Sequence, residues 1–204
     1  MKLPLFPLNA VLFPGCRLDL QIFEARYLDM ISRCMKQGTG FGVVTIGEGR
    51  EVGEAPSRLA MVGCEASVRD WQQRPNGLLG IRVEGGRRFQ VLSVEVQADQ
   101  LSVGEIEWFE DLPEQPLTYE HNDLAALLSV LAEHPMVAAL EMGGEPGGQQ
   151  DLANQLAYLL PFDTERKLEL LALPDAQMQL ARIQVLLEHL QGELGIDADG
   201  HPSK

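Results

Sequence analysis

Leu3-Pro4-Leu5-Phe6-Pro7-Leu8, then Val11-Leu12-Phe13-Pro14-Gly15, then Ile22-Phe23-Glu24-Ala25-Arg26-Tyr27 is the stretch on which the reading of this chain turns. The proline ring fixes φ and removes a backbone donor, so Pro4, Pro7 and Pro14 hold this opening segment extended, while Gly15 permits a turn. Beyond it, Phe23, Tyr27, Met30, Ile31 and Cys34 recur at i, i+4, i+7, i+8 and i+11. That spacing predicts one amphipathic helix, stopped by Gly38 and Gly40. Phe23 and Tyr27 are expected on its buried face, and Glu24 and Arg26 as ion-pair partners or caps of neighbouring backbone.

From Phe41 to Phe109 the pattern shortens. Apolar runs at Phe41 to Ile46, Ala60 to Val68, Leu78 to Val83, Phe89 to Val96 and Leu101 to Phe109 read as strands. Pro75-Asn76-Gly77 suits a tight hairpin, because Asn and Gly tolerate positive φ, and Gly85-Gly86 reads as a second turn. After Pro113 and Pro116 the period becomes helical. Leu124, Leu127, Leu128 and Leu131 share a face up to His134-Pro135, and Gly143 to Gly148 reads as a mobile loop. Asp151 is placed to cap a helix running to about Leu160, Thr164 opens another to about Leu173, and Pro174-Asp175 starts a last one carrying Ile183, Leu186, Leu187, Leu190 and Leu194.

The expected architecture is therefore α+β. A barrel-like β unit with one inserted helix occupies residues 1–112, a bundle of about four helices residues 113–195, and a flexible tail residues 196–204. Charge supports a change near Asp111 to Gln115. Residues 1–110 hold 12 Lys and Arg against 14 Asp and Glu, whereas residues 111–204 hold 4 against 16, so most of the net −14 lies in the helical half. Such a surface repels a phosphate backbone. The proline-broken N-terminus does not read as a secretory signal and no apolar run is long enough to span a bilayer, which places the chain in the cytoplasm. Cys16, Cys34 and Cys64 are odd in number and far apart, and read as buried reduced thiols.

The patterns that carry chemistry are missing. A phosphate loop needs glycines between a strand and a helix, but Gly38-Thr39-Gly40-Phe41-Gly42 follows a helix and leads into a strand. No G-x-S-x-G elbow frames any serine, and no H-E-x-x-H pairs two of His121, His134, His189 and His201. Glu105 with Glu107, and Asp197 with Asp199, read as solvated carboxylates. Hence no catalytic, cofactor-binding or metal-ligating residue is assigned. Trp71, beside a polar turn, and Trp108 with Phe109, closing the last strand, are the candidates for a polypeptide-binding surface, since aromatics supply large apolar area at small entropic cost.

The opening stretch resembles the N-terminal, substrate-binding domain of the ATP-dependent Lon proteases. Further matching features are Gly40-Phe41-Gly42-Val43-Val44, Val62-Gly63-Cys64-Glu65-Ala66 as the family's V-G-x-x-A, and Gly85-Gly86-Arg87-Arg88-Phe89 as its G-x-x-R-F; the leucine-rich Leu156 to Leu173 region matches more loosely. The resemblance implies a β pseudobarrel related to the RNA-binding PUA type plus a helical bundle, and it implies recognition of unfolded or partner polypeptide. It does not transfer ATPase or peptidase activity, because the chain ends where those modules would begin. The expected function is a non-catalytic, stand-alone polypeptide-binding module, with an adaptor role in proteolysis or quality control. The alternative is a PUA-like nucleic-acid module built around Arg82, Arg87 and Arg88.

Overall fold

The computed structural model of the protein describes residues 1–142 and 144–193. Among these, six strands carry the first half: β1 (Lys2–Leu8), β2 (Arg17–Ile22), β3 (Phe41–Glu48), β4 (Arg58–Gln73), β5 (Leu79–Val96) and β6 (Ser102–Trp108), with α1 (Ala25–Gln37) between β2 and β3. A 3-10 turn at Tyr119–His121 then leads into α2 (Asn122–Ala132), the single turn α3 (Pro135–Ala138), α4 (Gln149–Leu159), α5 (Thr164–Ala172) and α6 (Ala176–Glu193). The class is α+β, as the sequence indicates. Gly143, Leu194 and the tail at 196–204 lie outside the described residues.

The strands form one sheet in the order β2-β5-β4-β3-β1-β6, and β6 also pairs with β5. The pairing β5-β4-β3-β1-β6 therefore returns to β5, a pseudobarrel rather than a regular barrel. Its first half, Leu79–Glu84, pairs with β2, and its second half, Phe89–Val96, pairs with β6. Gly85-Gly86 is consequently not a turn but the point at which one long strand changes neighbours. Glycine is required there by proximity, since a Cβ on Gly85 would stand 2.0 Å from the Phe13 carbonyl oxygen. That approach lets Gly15 N–H donate to Gly85 O (2.9 Å) and Gly85 N–H to Cys16 O (2.8 Å).

The proline-rich opening is itself a strand. β1 pairs antiparallel with β6 through Lys2 to Pro4 and parallel with β3 through Leu5 to Leu8. Met1 and Ile106 exchange both main-chain bonds, so Leu3 opposite Gly104 is the next bonded pair. Pro4 then falls at a position whose N–H would point away from β6, where its absence is harmless. In α1, Tyr27, Met30, Ile31 and Cys34 form the buried stripe, and Gly38 (φ 65°) ends the helix. Phe23 departs from the expectation: it precedes the N-cap Glu24 and is 50% exposed.

Two apolar cores result. Leu3, Leu5, Val44, Phe89, Val91 and Ile106 form one. The larger joins Phe13, Cys16 and Val83 of the β part to Leu152, Leu156, Leu170 and Ile183 of the helices. Polar contacts cross the same junction: Tyr158 Oη donates to Arg17 O (2.9 Å), and the buried Arg88 donates to the Leu171 and Leu173 carbonyls and to Asp111. Asp151 is not the cap of α4. Gly148 holds the N-cap position, and the linker's Glu114 carboxylate accepts from Gln150 N (2.8 Å) and Asp151 N (3.2 Å), 36 and 37 residues away. An acidic group there meets both the orphan N–H groups and the positive end of the helix dipole.

Candidate functional site

The three aromatics singled out from the sequence do not share one surface. Trp71, on the solvent-side end of β4, is 58% exposed. Trp108 and Phe109 are half-buried at the end of β6. Their partners on β5, Ile81 for Trp71 and Phe89 for Trp108, are eight residues apart, or ~26 Å along a strand path. Trp108 meets the Phe89 ring edge-on at 5.9 Å and is covered by the Arg87 guanidinium at 3.9 Å; Arg88 lies 5.1 Å from the Phe109 ring. Both are engaged in packing within this protein.

The arginine cluster disperses in the same way. Arg82 makes two bonds to the Asp19 carboxylate (2.8 and 3.0 Å) and a third to Glu141, Arg87 pairs with Glu65, and Arg88 is buried. No free basic patch is left by these three residues. The bond from Arg82, together with its charge, holds the Asp19 carboxyl below the usual range despite partial burial.

Around Trp71 the surface is different. Two clefts meet at Asp19. One, of about 180 Å³, is polar and is lined by Asp70, Trp71, Arg74 and Arg82 among others. The Arg74 Nε beside it is buried and has no acceptor among the described residues. The other, of about 160 Å³, is mostly apolar, with Phe6, Leu8, Leu20 and Tyr27 against the exposed Phe23 and Val52. The Tyr27 hydroxyl is pushed up by burial, and its ring stacks 4.2 Å from that of Phe6. Sequence periodicity missed Phe23 because it keeps the i, i+4 relation to Tyr27, whereas the helix begins two residues later, at Ala25.

Cys16 and Cys64 are fully buried and their thiols are pushed well up, first by desolvation, which keeps them from the thiolate a nucleophile needs. Among the described residues no three His, Cys, Asp or Glu side chains gather as a metal would require, and no helix is long and apolar enough to cross a membrane.

The family model described as the ATP-dependent protease La (LON) substrate-binding domain matches residues 2–189. A crystal structure of a Lon N-terminal domain protein from Xanthomonas campestris is 33% identical, superposes with a TM-score of 0.71, and covers 92% of this chain and 98% of its own. The N-terminal domain of a Mycobacterium avium complex Lon protease shares the fold, with a TM-score of 0.56 at 16% identity over 92% of this chain and 97% of its own. Lon protease 2 of Herpetosiphon aurantiacus is 26% identical over 199 residues; the match takes in 92% of this chain but 24% of that protein, so the chain spans about a quarter of this relative's length.

Proposed function

Because the chain belongs to the substrate-binding domain family of the ATP-dependent protease La (LON), we propose that it is a non-catalytic module that holds unfolded or partner polypeptide, as an adaptor in proteolysis or protein quality control. One observation carries the location. Phe23 and Trp71, each at least half exposed, stand at two clefts that share Asp19. Exposed aromatics at the rim of a concave surface are common anchors of polypeptide recognition, and here Phe23 stands at the apolar cleft and Trp71 at the polar one. Trp108 and Phe109 support the β unit at its other end and are not assigned to the contact.

Fluorescence anisotropy of a labelled, permanently unfolded polypeptide tests this. Phe23→Ala and Trp71→Ala are each expected to weaken binding about tenfold, the size of a modest hot spot, while Trp108→Ala is not. Unchanged affinity in both of the first two variants would remove the site. Against a nucleic-acid role count the pairing of Arg82, Arg87 and Arg88 with Asp19, Glu65 and Asp111 and the net charge of −14; no retention of structured RNA is expected at low salt.

A further inference from the structure

Among the described residues β2 is the edge strand of the sheet, paired with β5 alone. Its register fixes which main-chain groups are used. Gly85 N–H donates to Cys16 O, so Cys16 opposite Gly85 is a bonded pair, and the alternation of an antiparallel ladder makes Leu18, Leu20 and Ile22 the bonded positions that follow. The N–H and C=O of Arg17, Asp19 and Gln21 therefore point away from the sheet. At Arg17 the helical half covers them, with Met142 Sδ accepting from the N–H at 3.2 Å and Tyr158 Oη donating to the carbonyl at 2.9 Å. At Asp19 and Gln21 the same alternation turns these groups outward, along the stretch Asp19, Leu20, Gln21 and Ile22 that lines the apolar cleft together with Phe6, Leu8 and Tyr27.

We infer that an extended polypeptide segment adds to this edge as a further strand, bonding the N–H and C=O of Asp19 and Gln21 and placing alternate apolar side chains against Phe6, Leu8 and Tyr27. The inference rests on the polypeptide-binding function proposed above and supplies its mode. Main-chain bonding of this kind is blind to sequence, and the cleft supplies the preference for alternate apolar residues. Charge narrows the occupant. The lining holds Asp19, Glu24 and Glu51 and no Lys or Arg. Asp19 is neutralised by Arg82 and Glu24 by Arg26 (2.8 Å), whereas Glu51 accepts a main-chain N–H from Asn9. The segment that fits is thus apolar in alternation and carries Lys or Arg, not Asp or Glu.

The test uses the whole chain and a blocked, labelled peptide, Lys-Val-Lys-Val-Lys-Val-Lys, beside the unfolded polypeptide. Two N-methylated forms of the peptide, modified at alternate residues in one register or the other, and a form with Glu in place of Lys complete the set. The parent peptide is expected to bind; methylation in one register, or Glu for Lys, weakens it about tenfold, on the order of one or two lost hydrogen bonds. Gln21→Pro is expected to do the same, because a proline is tolerated where an edge N–H faces out yet removes that donor. If Gln21→Pro misfolds, the methylated peptides on the unaltered protein still decide. Equal affinity of both methylated forms and the parent overturns the edge mode. A parent peptide that fails to bind while the unfolded polypeptide binds also overturns it and leaves polypeptide binding standing; failure of both ligands removes both.

Discussion

Arg88 is 2% exposed, and its guanidinium reaches two carbonyls at the end of α5 and the linker's Asp111. A planar fork meeting acceptors in several directions is not replaced by an ammonium. Arg88→Leu is expected to cost about 2–4 kcal/mol in urea unfolding, since it orphans buried acceptors, and Arg88→Lys to recover less than half. A second residue-scale consequence concerns alkali. Burial is the first cause holding the protons of Cys16, Cys34, Cys64, Tyr27 and Tyr158 above their ordinary values. The folded chain keeps protons that the unfolded chain releases, so stability is intact below the ordinary thiol value of 9.0 and falls as pH rises beyond it. Lys167, pushed down by burial, acts in the opposite sense, one group against five. The urea midpoint is therefore expected to drop progressively above pH ~9. Single residues were unevenly legible: the sequence shows that Arg82, Arg87 and Arg88 are cationic, but only their neighbours, Asp19, Glu65 and Asp111, decide that they are not a surface patch.

β5 shows how an element can be misread from composition that is read correctly. Its two halves both have apolar alternation, and the Gly85-Gly86 pair between them has the chemistry of a turn. The structure uses Gly85 instead for contact with the Phe13 carbonyl. Gly77, at φ 81° with nothing near its Cβ position, is the turn glycine of the expected hairpin, where Gly77 N–H donates to Arg74 O (2.9 Å). The two predict different costs. Gly77→Ala meets only backbone strain, about 1 kcal/mol. Gly85→Ala must displace a main-chain oxygen, at about 3 kcal/mol, and thermal melts of the two variants should rank in that order. α1, α2, α4, α5 and α6 were legible because their 3.6-residue period is continuous, whereas the single turn α3 at Pro135–Ala138 is too short to show one. β2 was not, since Arg17-Leu18-Asp19-Leu20-Gln21-Ile22 alternates over only six residues and its pairing is decided 57 residues further on, at Leu79.

At the scale of the molecule, we propose that residues 1–112 and 113–195 are subdivisions of one cooperative unit. The larger core runs through both, and Arg17, Cys16 and Arg88 of the first are bonded to Tyr158, Asn154, Leu171 and Leu173 of the second. A fragment of residues 1–112 is expected to be aggregated or unfolded by circular dichroism and size-exclusion chromatography, whereas the full chain melts in one transition; a folded fragment would show the halves to be independent. The candidate site follows the same logic of assembly, since Phe23, Val52 and Trp71 come from three segments that only the sheet brings to Asp19. What the sequence determined by itself was whatever is local or cumulative: the strand and helix periods, the charge asymmetry, the turn at Gly77 and the family resemblance of its opening motifs. Tertiary structure alone decided which strands pair, why Gly85 is a glycine, which arginines are spent internally, and which aromatics reach solvent. Those outcomes depend on contacts between residues tens of positions apart, and neither periodicity nor composition encodes such distances.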